Sequence, residues 1–145
     1  MYGIVLEGGG ARGAYQIGVW KALRELGIEY QGVAGTSVGA LNGAMMVQGD
    51  FNKALDIWSD IKPSRVVNID DELYERVKSL KISVDDTSSI LQSIKSIFQN
   101  HGMDTAPLHN LLSHCIDENR IRKTGKESGI VTISLSDLTP LKLFL

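Results

Sequence analysis

Apolar residues form two kinds of run along this chain. Residues 3–6 (Gly-Ile-Val-Leu) and 32–34 (Gly-Val-Ala) are short and unbroken, and glycine follows each within two residues. Runs of that kind predict strands, the first of them buried on both faces. Between them, Ala14, Tyr15, Val19, Ala22, Leu23 and Leu26 recur at helical spacing over residues 11–26, and Gly27 stands where a C′ glycine ends a helix. A second helix is expected over residues 38–47. This strand–helix–strand–helix rhythm predicts a parallel sheet with right-handed crossovers.

Further along, Asp50 is placed to cap a helix over residues 51–60, which Pro63 ends. Residues 70–81 read as a solvated helix. Asp85 or Asp86 begins another, with Ile90, Leu91, Ile94, Ile97 and Phe98 on one stripe, broken by Asn100-His101-Gly102. Thr105 is placed to cap a last helix with Pro107 in its first turn and Leu108, Leu111, Leu112 and Ile116 inward. Over residues 129–135, Val131, Ile133 and Leu135 alternate with Thr132, Ser134 and Ser136, a period of two that predicts a strand. A turn over 137–140 leads into a further strand over 141–145.

The composition narrows the class. With 145 residues, 43% of them hydrophobic and 22% charged, the chain suits one domain with a true core, residues 1–145. A net charge of −2 argues against a nucleic-acid partner, which asks for a basic face. Cys115 is the single cysteine, so no intrachain disulfide forms, and its helical apolar surroundings predict a buried thiol. No run approaches the roughly 20 apolar residues of a membrane span, and no basic-then-apolar leader opens the chain. A cytoplasmic location is the expectation.

Two glycine-rich turns carry the candidate chemistry. In Gly35-Thr36-Ser37-Val38-Gly39 a serine lies between glycines, after a strand and before a helix of small residues. A nucleophile elbow needs this arrangement: the serine sits in a strained conformation at the carboxyl end of a strand, and residues two before and two after it must be small. The bland alternative is a close-packed helix start with Thr36 or Ser37 as N-cap. The earlier turn, Gly8-Gly9-Gly10-Ala11-Arg12-Gly13, has two readings. Gly8, Gly10 and Gly13 satisfy the dinucleotide pattern G-x-G-x-x-G, but the acidic residue expected about 20 positions on, at the end of the second strand, is missing. The other reading is an oxyanion hole, with Gly9 and Gly10 donating backbone N–H groups and Gly8 shaping the turn. Arg12 is a cation at a helix N-terminus, where it opposes the macrodipole. It therefore calls for loop carbonyls or an anionic substrate group. His101, His109 and His114 follow Ser37 in the order of a Ser–Asp–His hydrolase, but the five-residue interval of the last two puts them on different helix faces.

Taken together, Gly8-Gly9-Gly10-Ala11-Arg12-Gly13 and Gly35-Thr36-Ser37-Val38-Gly39 resemble the patatin-like phospholipases, as do Asp104-Thr105-Ala106-Pro107-Leu108 and the strand that begins at Gly129. The resemblance implies a three-layer α/β/α fold with a mainly parallel central sheet. It also implies hydrolysis of lipid acyl esters by a Ser–Asp dyad, without metal or cofactor. Ser37 is then the nucleophile, in an elbow made by Gly35, Thr36, Val38 and Gly39. Gly8, Gly9, Gly10, Arg12 and Gly13 belong to the oxyanion-hole motif. The family's aspartate lies in an Asp-Gly motif, and no aspartate here is followed by glycine. The expectation is therefore an N-terminal portion of a longer enzyme, incomplete at its C-terminal end and slow on its own. Its expected partners are a phospholipid or other acyl-ester lipid, transiently a membrane surface, and other copies of itself through exposed C-terminal strands. A non-catalytic lipid- or protein-binding module of the same fold is the alternative, and a dinucleotide-binding domain a more distant one.

Overall fold

A computed structural model describes residues 2–61, 106–134, 136–137 and 139–144. The helices expected over 70–81 and from Asp85 or Asp86, the break at His101 and the cap at Thr105 lie outside the described residues. Contacts divide the chain into two compact units, Met1–Asp60 with His114–Leu145, and Ile61–Ser113.

The first unit is α/β. Strand β1 (Gly3–Leu6) leads through a short 3-10 turn (Gly10–Arg12) into helix α1 (Gly13–Glu25). Strand β2 (Gly32–Thr36), α2 (Val38–Gln48) and α3 (Phe51–Ser59) follow. Helix α4 (Ala106–Cys115) spans the boundary between units and is followed by α5 (Glu118–Lys123), β3 (Glu127–Ile133) and β4 (Pro140–Phe144). The four strands form one sheet in the order β1-β2-β3-β4. The first two pairings are parallel, with Leu6 opposite Gly35 and Gly35 opposite Ile130. The last is antiparallel, with Ile130 opposite Leu143.

Helix α2 is apolar nearly all round, as a buried helix must be. It lies against β1, β2 and β3 and buries Met45, Met46 and Val47. Helices α1 and α3 pack on it and on each other: Trp20 of α1 meets Phe51 of α3 edge to face at 5.2 Å, and the Arg24 guanidinium covers the Phe51 ring at 4.5 Å from its centroid. Gly27, at φ +65, ends α1 in a Schellman motif: Ile28 N–H donates to Leu23 O (2.9 Å) and Gly27 N–H to Arg24 O (3.2 Å).

Three local expectations are corrected. β1 is buried on one face only: Leu6 is buried, but Val5 is 83% exposed, because α2 covers the face that carries Leu6 and Val5 points to the opposite one. The buried stripe of α1 is Gly13, Gln16, Ile17 and Trp20, while Tyr15 and Leu26 are exposed. The helix turns a face containing a polar side chain inward, and hydropathy alone cannot select that face. Asp50 occupies the N-cap position of α3 but makes no capping bond. Its carboxylate is held by Gln48 and by the Arg120 guanidinium, with N–O distances of 2.6 and 2.8 Å to the latter. Along β3 and β4 the apolar side chains Ile133, Leu143 and Phe144 stay exposed.

Partial burial raises the affinity of the Asp50 carboxyl for its proton, but the hydrogen bonds from Gln48 and Arg120 outweigh it and hold the group below the usual carboxylate range. A carboxyl lowered on folding contributes stability that is complete above its ordinary value of about 3.9 and fades as pH falls toward the folded value. Asp50→Asn should therefore lower the thermal midpoint at neutral pH by the equivalent of about 1 kcal/mol. The gap from wild type should close as the solution is acidified below pH ~4. Thermal unfolding across that range checks this, and a gap that widens in acid contradicts it.

Candidate active site

Ser37 lies between the end of β2 and the start of α2 with φ +52° and ψ −129°. Among the described residues it is the only non-glycine with positive φ. A side chain in this region of backbone space costs of order 1–3 kcal/mol and persists only where the surroundings force it. Here they do. A β-carbon on Gly35 would collide with the backbone of Gly39 and Ala40, and one on Gly39 would collide with the carbonyl oxygens of Leu6 and Glu7. Two glycines therefore let β2 turn sharply into α2 and let the first turn of α2 sit directly on the end of β1.

The serine stands at the N-cap position of α2, but its side chain makes no capping hydrogen bond. The hydroxyl is exposed and has no partner among the described residues. The plain N-cap reading fails on that point. What Ser37 does meet is the other glycine turn. A β-carbon on Gly8 would lie 3.1 Å from Ser37 Cβ and 3.8 Å from its Oγ. The parallel pairing of β1 and β2 delivers both turns to the same sheet edge, with Leu6 and Gly35 in register. Gly9 and Gly10 follow at φ +150° and +52°, a sequence of backbone states that side-chain-bearing residues rarely adopt.

The remaining expected residues divide clearly. Thr36 is exposed and Val38 half-buried beside the serine. Gly13 opens α1 and is buried, with the Trp58 ring and Val38 against its α-carbon, so its small size serves packing. Arg12 is exposed. Its N–H donates to Gly9 O at 3.0 Å and its methylenes run beside Gly9. Its guanidinium has no hydrogen-bond or ion-pair partner among the described residues. His109 and His114 are exposed on α4, and the His114 carbonyl accepts from Lys53 Nζ at 2.7 Å. Among the described residues no three His, Cys, Asp or Glu side chains cluster as metal ligands.

Beneath the site runs a polar network that the hydropathy pattern hides. Asn42 Nδ2 donates to Gly13 O (3.0 Å) and to Gln16 Oε1 (2.8 Å), Gln16 Nε2 donates to Glu7 O (2.8 Å), and Trp58 Nε1 donates to Asn42 Oδ1 (2.9 Å). Asn42 is 3% exposed and Gln16 8%. The available signal was weak: an asparagine mid-way along a small-residue helix, against helix propensity, and a glutamine three residues after Gly13.

A family model described as "Patatin-like phospholipase" matches residues 4–138. Among curated proteins, the chain is similar to "Lysophospholipase nte1" of Aspergillus terreus, 60% identical over 43 residues. It is also similar to "Neuropathy target esterase sws" of Drosophila melanogaster, 58% identical over 43 residues. Each of these matches covers 30% of this chain and 3% of the relative. The dinucleotide alternative gains nothing from these matches.

Two substitutions test the geometry through stability. Ser37→Gly should raise unfolding free energy by about 1 kcal/mol, since it relieves the strain, and denaturant titration showing no gain would mean that the serine is unstrained. Gly39→Ala places a methyl against two carbonyl oxygens that cannot retreat. It should cost roughly 3 kcal/mol or abolish folding.

Proposed function

Because the chain belongs to the patatin-like phospholipase family, we propose that it carries the nucleophile and the oxyanion hole of a serine acyl-ester hydrolase acting on phospholipids or lysophospholipids. The observation that supports this most is the exposed hydroxyl of Ser37, which has no partner among the described residues and is held in a strained conformation 3.8 Å from the position of a β-carbon on Gly8. The name of the similar lysophospholipase favours a lipid with an acyl ester as substrate.

In this reading Ser37 Oγ attacks the ester carbonyl and its proton passes to a general base. The carbonyl oxygen becomes an oxyanion, which the N–H groups of Gly9 and Gly10 stabilise, each donor supplying about 3 kcal/mol. The N-terminus of α2, directly behind the serine, adds a favourable dipole. Collapse of the tetrahedral intermediate expels the alcohol or lysolipid with a proton from the base. Water then releases the fatty acid from the acyl-serine. We assign the base to an aspartate of the family's Asp-Gly motif, which these 145 residues do not contain. In the same reading Arg12, whose guanidinium has no partner among the described residues, meets the phosphate of a lipid head group.

The test is covalent labelling of the full chain with a fluorophosphonate, together with release of fatty acid from lysophosphatidylcholine. Labelling should fall on Ser37 and vanish with fatty-acid release in Ser37→Ala. Arg12→Ala should raise KM for the phospholipid about tenfold and leave hydrolysis of an uncharged ester nearly unchanged. A folded full chain that neither labels nor releases fatty acid would refute the hydrolase reading.

A further inference from the structure

The glycine turn is built from residues with no side chains of their own to anchor it, yet an oxyanion hole works only if its donors are already in place when charge develops. Its anchors must lie elsewhere. Both of its ends are held from below by side-chain amides. Gln16 Nε2 holds the carbonyl of Glu7, just before the turn, and Asn42 Nδ2 holds the carbonyl of Gly13, just after it. Asn42 also donates to Gln16, so the two anchors are one connected unit. Asn42 belongs to α2, the helix that begins at Ser37.

The chain of bonds has a fixed direction. Backbone carbonyls can only accept, so Gln16 and Asn42 must each present nitrogen to them. Trp58 Nε1 can only donate, so Asn42 must present oxygen to it. Both protons of the Asn42 amide are used, one on Gly13 O and one on Gln16 Oε1. Neither amide can flip without losing bonds at both of its ends, and among the described residues no buried side-chain polar atom is left unsatisfied. A fully satisfied buried network of this kind has one arrangement.

We infer that Gln16 and Asn42 are positioning residues: a one-way, buried pair of amides that ties both ends of the segment from Glu7 to Gly13, which contains Gly8–Gly10, to the helix carrying the nucleophile and so sets where the oxyanion donors stand relative to Ser37 Oγ. Trp58 completes the unit by fixing the sense of the Asn42 amide while its ring covers Gly13. The catalytic consequence rests on the hydrolase reading above. The mechanical claim does not.

Gln16→Met in the full chain keeps length and volume but removes the amide. Amide exchange over residues 7–13 should accelerate at least about tenfold while α2 stays protected. The kcat for a soluble ester and the rate of fluorophosphonate labelling at Ser37 should both fall about 100-fold, the scale of a misplaced reacting geometry. KM should change less than about threefold, because the lost interaction acts only in the transition state. Trp58→Phe is the milder variant, expected to lower kcat about tenfold, and it decides the matter if Gln16→Met does not fold. Gln48→Met is the comparator. It removes an equally buried amide that bonds Cys115 O and Asp117 N–H at the far end of α2, and it should lower the thermal midpoint with kcat per folded molecule unchanged. Unaltered exchange over residues 7–13 in Gln16→Met overturns the positioning role. So does a kcat loss that only follows the loss of folded protein, as in Gln48→Met. A wild-type chain that does not label at Ser37 refutes the hydrolase reading, and with it the catalytic consequence, whatever the exchange shows.

Discussion

The first turn of α2 rests on the last carbonyls of β1 with no room for a side chain between them. That contact, at Gly39 against Leu6 and Glu7, is what the site depends on. It fixes how far β2 travels before it turns, and therefore where residue 37 falls. The same closeness brings the chain leaving β1 alongside the chain leaving β2, so that Gly8 lies next to the serine. One steric requirement thus accounts for the strained serine, the flanking glycines and the meeting of two turns far apart in sequence.

The strain at Ser37 is of order 1–3 kcal/mol, a large share of the 5–15 kcal/mol by which domains are usually stable. It is offset by the packing of α2, whose Met45, Met46 and Val47 are buried and whose Gly39 and Gly43 let it lie close to β1 and β2. Further from the turn, Gln48 bonds the start of α5 and the end of α4, and the Asp50–Arg120 pair fastens α3 to α5. The serine end of α2 is thus held by close backbone contact and the other end by polar ties. A helix secured at both ends is the kind of element on which a reacting group keeps its position.

The parts legible in the sequence are those whose physical cause is local. The strands β1 and β2 follow from the short apolar runs at residues 3–6 and 32–34, after which glycines come, and the tight turn from β2 into α2 follows from the small residues on both sides of Ser37. The apolar spacing of α1 does not give its buried stripe, because the inward face mixes Gly13 and Gln16 with Ile17 and Trp20, while Tyr15 and Leu26 face outward. Asn42 is hidden in the sequence for a related reason. A buried polar side chain is justified only by partners on other elements, here Gly13, Gln16 and Trp58, and no periodicity reports them. Asp50 likewise reads as a cap until Arg120, seventy residues on, takes its carboxylate.

The most direct measurement is a crystal structure of the full chain carrying a fluorophosphonate on Ser37. The phosphonyl oxygen should lie about 2.7–3.1 Å from the backbone nitrogens of Gly9 and Gly10, with the Gln16–Asn42 pair beneath them unchanged. An adduct whose oxygen points to solvent, with the glycine turn standing away from it, would contradict the claim that these two turns form one site.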